Sequence, residues 1–339
     1  MVALTISLLI ALLTAFILVQ PLTRFLNVIG VVSLDINKKN KPRLPASGGI
    51  YVAFGILAGI FVYTGLQTFI YGNYNQSVYL LTSVSSIILV TFIGILDDLN
   101  VKSQPVVTRD GKNIKVGLPQ WLKPFLVLPA AIPLMVINVG ETTMSVPFIG
   151  DVNFGILYPL LIVPLGIFGA SNMVNMLGGF NGIEAGMGAI YTLGLGIYAL
   201  THGSEIAAII FLSTFVSLLP FIKYNWYPAK ILPGDSLTYL LGVIVAVGSI
   251  LGNMEKIGMI VLLPFIIQGL LKFYSKLRLG TFASDLGILQ KDGSIKPKYD
   301  KIYSLTHLVM RVGNFKEHQI SLIFVLIQIV FSIIPFTLY

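Results

Sequence analysis

Residues 77–100 read SVYLLTSVSSIILVTFIGILDDLN: an apolar run as far as Leu96, closed by two adjacent carboxylates, Asp97 and Asp98. A helix needs about 20 mostly apolar residues to cross the hydrocarbon core of a bilayer. Runs of this kind recur near 2–20, 47–68, 77–96, 124–139, 155–173, 185–201, 204–222, 235–253, 257–273 and 319–337. Lipid offers no partner to unsatisfied backbone groups, so runs of this length are helices and not barrel strands. The fourth is short and carries Pro129 and Pro133, which predicts a kink or tilt.

The bulk composition agrees. Of the 339 residues, 55% are hydrophobic and 11% charged, against about 25% charged in soluble domains. The mean hydropathy is +0.88. These values exclude a soluble domain of any class and predict an all-α integral membrane protein of about ten transmembrane helices, one domain over 1–339. The first run starts directly after Met1, with no basic stretch and no small-residue cleavage site, so it is expected to be a retained span. The chain has no cysteine, which removes disulfide and thiolate chemistry.

A net charge of +8 would suggest nucleic acid in a soluble protein. Here the basic residues sit in loops between apolar runs, which points to membrane topology and anionic groups at the membrane surface, with no nucleic acid. Of the 22 Lys and Arg residues, all but Lys256 fall in the loops after the first, third, seventh and ninth runs. That side is expected to be cytoplasmic, and ten spans then leave both termini outside. The largest polar segment, about 272–318, is expected to form a small cytoplasmic subdomain, with turn chemistry at Asp292-Gly293 and Pro297.

On this map the polar residues collect at one face. Asp97 and Asp98 end the third run, SNMVNMLGGFNGIEAG (171–186) follows the fifth, YNWYPAKILPGDS (224–236) enters the eighth, and DINKKNKPRLPASGG (35–49) enters the second. The opposite face offers only Glu141, Asp151, Glu205 and Glu255. Asp97-Asp98 reads either as a helix end that has reached water or as a pair needing a cation. The C-terminal end of a helix dipole disfavours carboxylates, and a bound divalent metal would compensate. Asn172 and Asn175 share a helix face. They read as interhelical hydrogen-bonding groups or as neutral oxygen ligands of the kind Mg²⁺ accepts. Gly178, Gly179 and Gly182 make a tight turn that presents Asn181 and Glu184. Asp235, after Pro233-Gly234, is either a helix N-cap or a ligand. The three histidines are too sparse for a motif: His307 and His318 read as surface residues and His202 as structural.

Taken together, DINKKNKPRLPASGG, GILDDLN (94–100), NMVNMLGGFNGIEAG (172–186) and YNWYPAKILPGDSLTYLLG (224–242) resemble the polyprenyl-phosphate N-acetylhexosamine-1-phosphate transferase family. The resemblance is greatest to its dolichyl-phosphate N-acetylglucosamine-phosphotransferase branch. It covers most of the chain, in the family's motif order and on one face. It implies transfer of a sugar-1-phosphate from a UDP-sugar to dolichyl or polyprenyl phosphate, with release of UMP. That is the first step of lipid-linked oligosaccharide synthesis and protein N-glycosylation. It also implies a Mg²⁺ cofactor, with Mn²⁺ as the substitute, a binding pocket for the nucleoside inhibitor tunicamycin, and a location in the cell membrane or the endoplasmic reticulum membrane.

Carried over by position, the resemblance makes Asn175 and Asp235 the metal ligands, Asp97 and Asp98 the catalytic aspartates, and Lys123 in WLKPF (121–125) a diphosphate contact. Lys123 also reads as a snorkelling flank residue. Asn172 would hold the phosphates or the metal shell, and Asn181 the uracil or ribose, with Glu184 on the same turn. Lys41 and Arg43 would attract the lipid phosphate or form a solvated basic loop. Two departures stand out. Extra residues, VKSQPVVTRDGKNIKVG (101–117), separate Asp98 from Lys123, and GTFASDLGI (280–288) lacks the branch's arginine-histidine-arginine cluster. Lys276 and Arg278 are the nearby substitutes, or the sugar is another N-acetylhexosamine. A transporter or flippase of lipid-linked sugars is the rival class, but the polar residues gather at one face and no inverted repeat is visible. A purely structural subunit gives no reason for four segments to converge. Small-residue spans permit a homodimer.

Overall fold

The structure, a computed structural model, describes residues 1–100, 106–107, 113–114, 121–146 and 150–338. The helices are α1 (Val2–Val28), α2 (Gly49–Phe69), α3 (Ser77–Asn100), α4 (Ile132–Val136), α5 (Val163–Asn175), α6 (Ile183–Thr201), α7 (Glu205–Asn225), α8 (Gly234–Leu251), α9 (Glu255–Val261), α10 (Leu263–Leu279), α11 (Leu305–Val312) and α12 (Glu317–Leu338). Four two-stranded antiparallel hairpins lie between them: β1 (Val32–Leu34) with β2 (Arg43–Pro45), β3 (Val106–Val107) with β4 (Asn113–Ile114), β5 (Thr143–Val146) with β6 (Gly150–Asn153), and β7 (Ile288–Leu289) with β8 (Ile295–Lys296).

Among the described residues, eight helical segments are long and apolar enough to cross a membrane, and α9 with α10 makes a ninth if this pair, bent by 64°, is one span. The bend has a local cause. Pro264 in the first turn of α10 has no N–H to bond back across the junction, so the ladder is interrupted at Leu262. The fourth apolar run takes a different form from the other nine. Its residues form a 3₁₀ segment, Lys123–Ala131, that continues into the short α4. Pro129 removes an N–H and its ring crowds the carbonyl one turn back, so tighter i to i+3 bonds replace the α ladder.

Helix α8 is the centre of the bundle. Every residue from Ser236 to Ile250 is buried, so α8 is enclosed on all sides and meets α3, α5, α7 and α2. Lipid gives helices no hydrophobic incentive to associate, and close backbone approach supplies the dispersion energy instead. A Cβ at Gly94 of α3 would strike the Ser236 backbone, and one at Gly242 of α8 would strike the backbone of Ala170 and Ser171 in α5. These two contacts seat the C-terminal halves of α3 and α5 against α8. Around this centre α1 lies on α2 and α7, and α12 lies on α6.

Between α10 and α12 the chain forms β7, β8 and α11. The last has a Ser304 N-cap, whose hydroxyl accepts from Thr306 N–H. His307, which the sequence suggested was a surface residue, is instead fully buried here. Its Nε2–H donates to the Ser284 carbonyl at 2.8 Å, and Nδ1 accepts from Tyr303 N–H at 3.3 Å, which defines the neutral tautomer. Burial holds His307 below the ordinary histidine range, with Lys272 and Arg311 adding to it against the Ser284 carbonyl and Asp285. The unfolded chain therefore binds more protons than the folded one as pH falls through about 6.5, and stability is lost in that direction. The detergent melting temperature is expected to fall between pH 7.5 and 5.5. The fall should be smaller for His307→Asn than for the unaltered chain, and equal falls would exclude His307 as the source.

Candidate active site

The C-terminal ends of α3, α5, α7 and α10 and the N-terminal ends of α2, α6, α8 and α12 meet at one end of the bundle. Asp97 is 0% exposed there. Its carboxylate pairs with the Lys123 ammonium and accepts from the Tyr239 hydroxyl at 3.3 Å. Asp98 faces the opposite way, into the start of α8. It accepts from Asp235 N–H at 2.7 Å, from Ser236 N–H at 3.1 Å and from the Ser47 hydroxyl. Asp98 thus caps α8 from another helix, where the first N–H groups carry the positive end of the dipole. The backbone makes room for this: Gly234 has φ +69°, and a Cβ there would overlap the Asp98 carboxylate. Ser47 holds φ 66°, a left-handed conformation unusual for a residue other than glycine.

Asn175, the last residue of α5, accepts through Oδ1 from the Thr238 hydroxyl at 2.6 Å, one turn into α8 from Asp235. The turn after it carries Gly179 at φ +93°, where a Cβ would press on Leu286. Glu184 closes this turn by accepting from Gly179 N–H at 2.7 Å. Its other oxygen, Oε2, is buried with no hydrogen-bond partner among the described residues. A ligand hydroxyl or amide N–H would satisfy it. Asn181 is held at both ends: Nδ2 donates to Asp35 at 3.3 Å and Oδ1 accepts from Ala229 N–H at 3.1 Å. Its backbone N–H donates to Glu317, which pairs with Lys38.

These groups surround a cavity of about 480 Å³. Of the residues the sequence singled out, Asp98, Asn175, Asn181, Glu184 and Asp235 line it. Asp97 and Lys123 are not among the lining residues and support it through Tyr239 and α8. Asn172 also lies outside the lining. Its Nδ2 donates to the Pro124 and Phe168 carbonyls at 3.0 and 2.8 Å, which ties α5 to the segment that carries Lys123. Lys41 and Arg43 are exposed on the β1–β2 hairpin and do not line the cavity. Lys276 and Arg278 are exposed too, over the rings of Phe282 and Tyr274. Asp35, Lys272 and Asp285 line the cavity, and sequence reasoning did not single them out as site residues.

The residues fit a divalent cation. Among the described residues no three His, Cys, Asp or Glu side chains are grouped as a closed cage. Magnesium seldom needs one, since it binds through one or two carboxylates and completes its shell with water and phosphate oxygens. Asp235 and Asn175 both line the cavity, and Asp235 lies within hydrogen-bonding reach of Asp97 and in the field of Asp98. Carboxylates this close call for a compensating positive charge.

The model of glycosyl transferase family 4 matches residues 79–253, which hold α3, α5, α6, α7 and α8 and with them Asp97, Asp98, Asn175, Asn181 and Asp235. The chain belongs to this family. It is 36% identical to a putative UDP-N-acetylglucosamine–dolichyl-phosphate N-acetylglucosaminephosphotransferase of Sulfolobus acidocaldarius, over 90% of this chain and 87% of the relative. Its identity to the protein of the same name in Saccharolobus solfataricus is 34%, over 89% and 86%. It is 28% identical to a probable undecaprenyl-phosphate N-acetylglucosaminyl 1-phosphate transferase of Bacillus subtilis, over 98% and 84%. The family match ends before α9, so the Lys272–Asp285 wall of the cavity lies outside it.

Proposed function

We propose that the chain transfers N-acetylglucosamine-1-phosphate from UDP-N-acetylglucosamine to a polyprenyl phosphate of the dolichyl type, releasing UMP and leaving a lipid-diphosphate-sugar. The convergence of Asp98, Asn175 and Asp235 from three helices on one cavity carries this reading, because two polyanionic substrates need fixed ligands for a neutralising metal. The cavity sits at one end of the bundle and not at its middle, which favours a surface reaction over transport.

An oxygen of the acceptor phosphate attacks the phosphorus that bears the sugar. The bond from that phosphorus to the bridging oxygen breaks, and UMP leaves with the electron pair. Such transfers depend on positioning and charge stabilisation more than on covalent help. Asn175 and Asp235 would hold Mg²⁺, which supplies charge neutralisation between the two phosphate-bearing substrates. Asp98 fixes the start of α8 and hence Asp235. Lys123 pairs with Asp97 beside Asp235. Asn181, Gly179 and Leu232 offer an amide, open backbone and an apolar side chain to a nucleobase. An apolar groove of about 350 Å³ lined by Leu165, Gly169, Met173 and Ile266 suits the polyprenyl chain.

The basic loops favour a cytoplasmic location for this end of the bundle. Such an enzyme begins lipid-linked oligosaccharide assembly for N-glycosylation. The test is UMP release by purified protein in detergent, given dolichyl phosphate and UDP-N-acetylglucosamine with and without Mg²⁺. Metal-dependent release is expected. Release only with another UDP-sugar would change the donor, and none with any donor would defeat the reading.

A further inference from the structure

The charge balance of the cavity is one-sided. Among its described lining residues, Asp35, Asp98, Glu184, Asp235 and Asp285 carry carboxyl groups, and Lys272 is the one Lys or Arg. A nucleoside-diphosphate sugar brings further negative charge into this wall, and a cation at one corner leaves the rest of the repulsion uncompensated. The two cations expected near the sugar, Lys276 and Arg278, lie outside the lining, as does Lys123.

Lys272 is built into its position. It is 5% exposed. Its ammonium donates to the Ala283 carbonyl at 2.6 Å and pairs with Asp285 Oδ1 at 2.7 Å. An ammonium has three donors, so one remains for a ligand. Asp285 is itself fixed, accepting from Gln268 Nε2 at 2.8 Å and from the Ser304 hydroxyl at 2.6 Å. Gln268 lies one turn before Lys272 on α10, and its Nε2 also donates to the Met176 carbonyl at 2.9 Å. Met176 follows Asn175. The pair is therefore keyed to the end of α5 that carries a candidate metal ligand.

We propose that Lys272 binds the diphosphate of the nucleoside-diphosphate-sugar donor and that Asp285 is the positioning residue that aims it. This rests on the phosphotransferase reading above. An ammonium already balanced by one carboxylate is stable in the empty site, and a phosphate oxygen takes its third donor without the pair having to break. The chain thereby supplies at the α10 corner a cation that GTFASDLGI does not.

The test uses the full chain in detergent with Mg²⁺ and measures dissociation constants for uridine, UDP and UDP-N-acetylglucosamine. Lys272→Gln keeps a donor for the Ala283 carbonyl and removes the charge. It should weaken UDP and UDP-N-acetylglucosamine by about tenfold or more, leave uridine within about twofold, and be partly rescued by Lys272→Arg. Asp285→Asn keeps the Gln268 and Ser304 contacts and should weaken UDP less, again sparing uridine, so it serves where Lys272→Gln does not fold. Equal loss for uridine would make the pair merely structural, and loss for UDP-N-acetylglucosamine alone would put the contact on the sugar. UDP binding unchanged in Lys272→Gln, with the unaltered chain active, would overturn the assignment and leave the enzyme reading standing. Failure of the unaltered chain to bind either nucleotide would remove both.

Discussion

Asp235→Ala is expected to lower UMP release by about 10³-fold, equivalent to about 4 kcal/mol of transition-state stabilisation, the scale seen when one fixed charge-stabilising group is lost. The fold should survive. The contact that Asp235 makes for the architecture is its backbone N–H to Asp98, and alanine keeps it. Its carboxylate stands within reach of Asp97 and near Asp98, so removal relieves like-charge repulsion. The melting temperature in Mg²⁺-free detergent should therefore be unchanged or slightly higher than that of the unaltered chain. Added Mg²⁺ should raise the melting temperature of the unaltered chain and have much less effect on the variant, since a ligand that binds only the folded state stabilises it. A variant that keeps its activity, or that melts much lower, would place the metal elsewhere or make Asp235 structural.

Hydropathy made the bundle legible, and the polar motifs made one end of it legible, because both signals are local. Gly178, Gly179 and Gly182 announced a turn, which the structure has; Asp235 stands in the first turn of α8 but is not its N-cap, since Pro233 holds that position and Asp98 accepts from the first N–H groups. The form of the fourth run was only partly visible: Pro129 and Pro133 signalled disruption, but not that the result is a 3₁₀ segment short of a full span. Long-range pairings were not legible at all. Lys38 and Glu317 stand 279 residues apart and pair behind Asn181, and nothing in DINKKN or in FKEH names the other. Lys272 looked like one of many basic loop residues, whereas α10 continues to Leu279 and carries it inside. The family resemblance offered Lys276 and Arg278 as substitutes for the missing basic cluster, and these two side chains lie over aromatic rings instead. The extra segment 101–117 falls largely outside the described residues, yet Lys123 after it pairs with Asp97.

Asp97 and Asp98 are adjacent in sequence and alike in chemistry, and substitution should separate them. Asp98→Ala leaves Asp235 N–H, Ser236 N–H and the Ser47 hydroxyl without their acceptor. Unsatisfied buried donors cost about 1–3 kcal/mol each. Asp98 lines the cavity, so water can reach some of them, and a total of about 3 kcal/mol is expected. Asp98→Asn should recover only part of this, because the amide oxygen keeps the donors that met one carboxylate oxygen while the NH2 end faces a donor that met the other. Activity should be lost in both, since the start of α8 carries Asp235. Asp97→Asn should behave differently. Its partners are Lys123, which is partly exposed and can turn to water, and the Tyr239 hydroxyl, which the amide oxygen still accepts. It should lose activity with a much smaller drop in melting temperature. The measurement is UMP release beside melting temperature for all three variants. If Asp98→Asn melts like the unaltered chain and Asp97→Asn does not, the capping role belongs to neither residue as drawn, and the opening pair of the sequence would have to be read as two equivalent ligands.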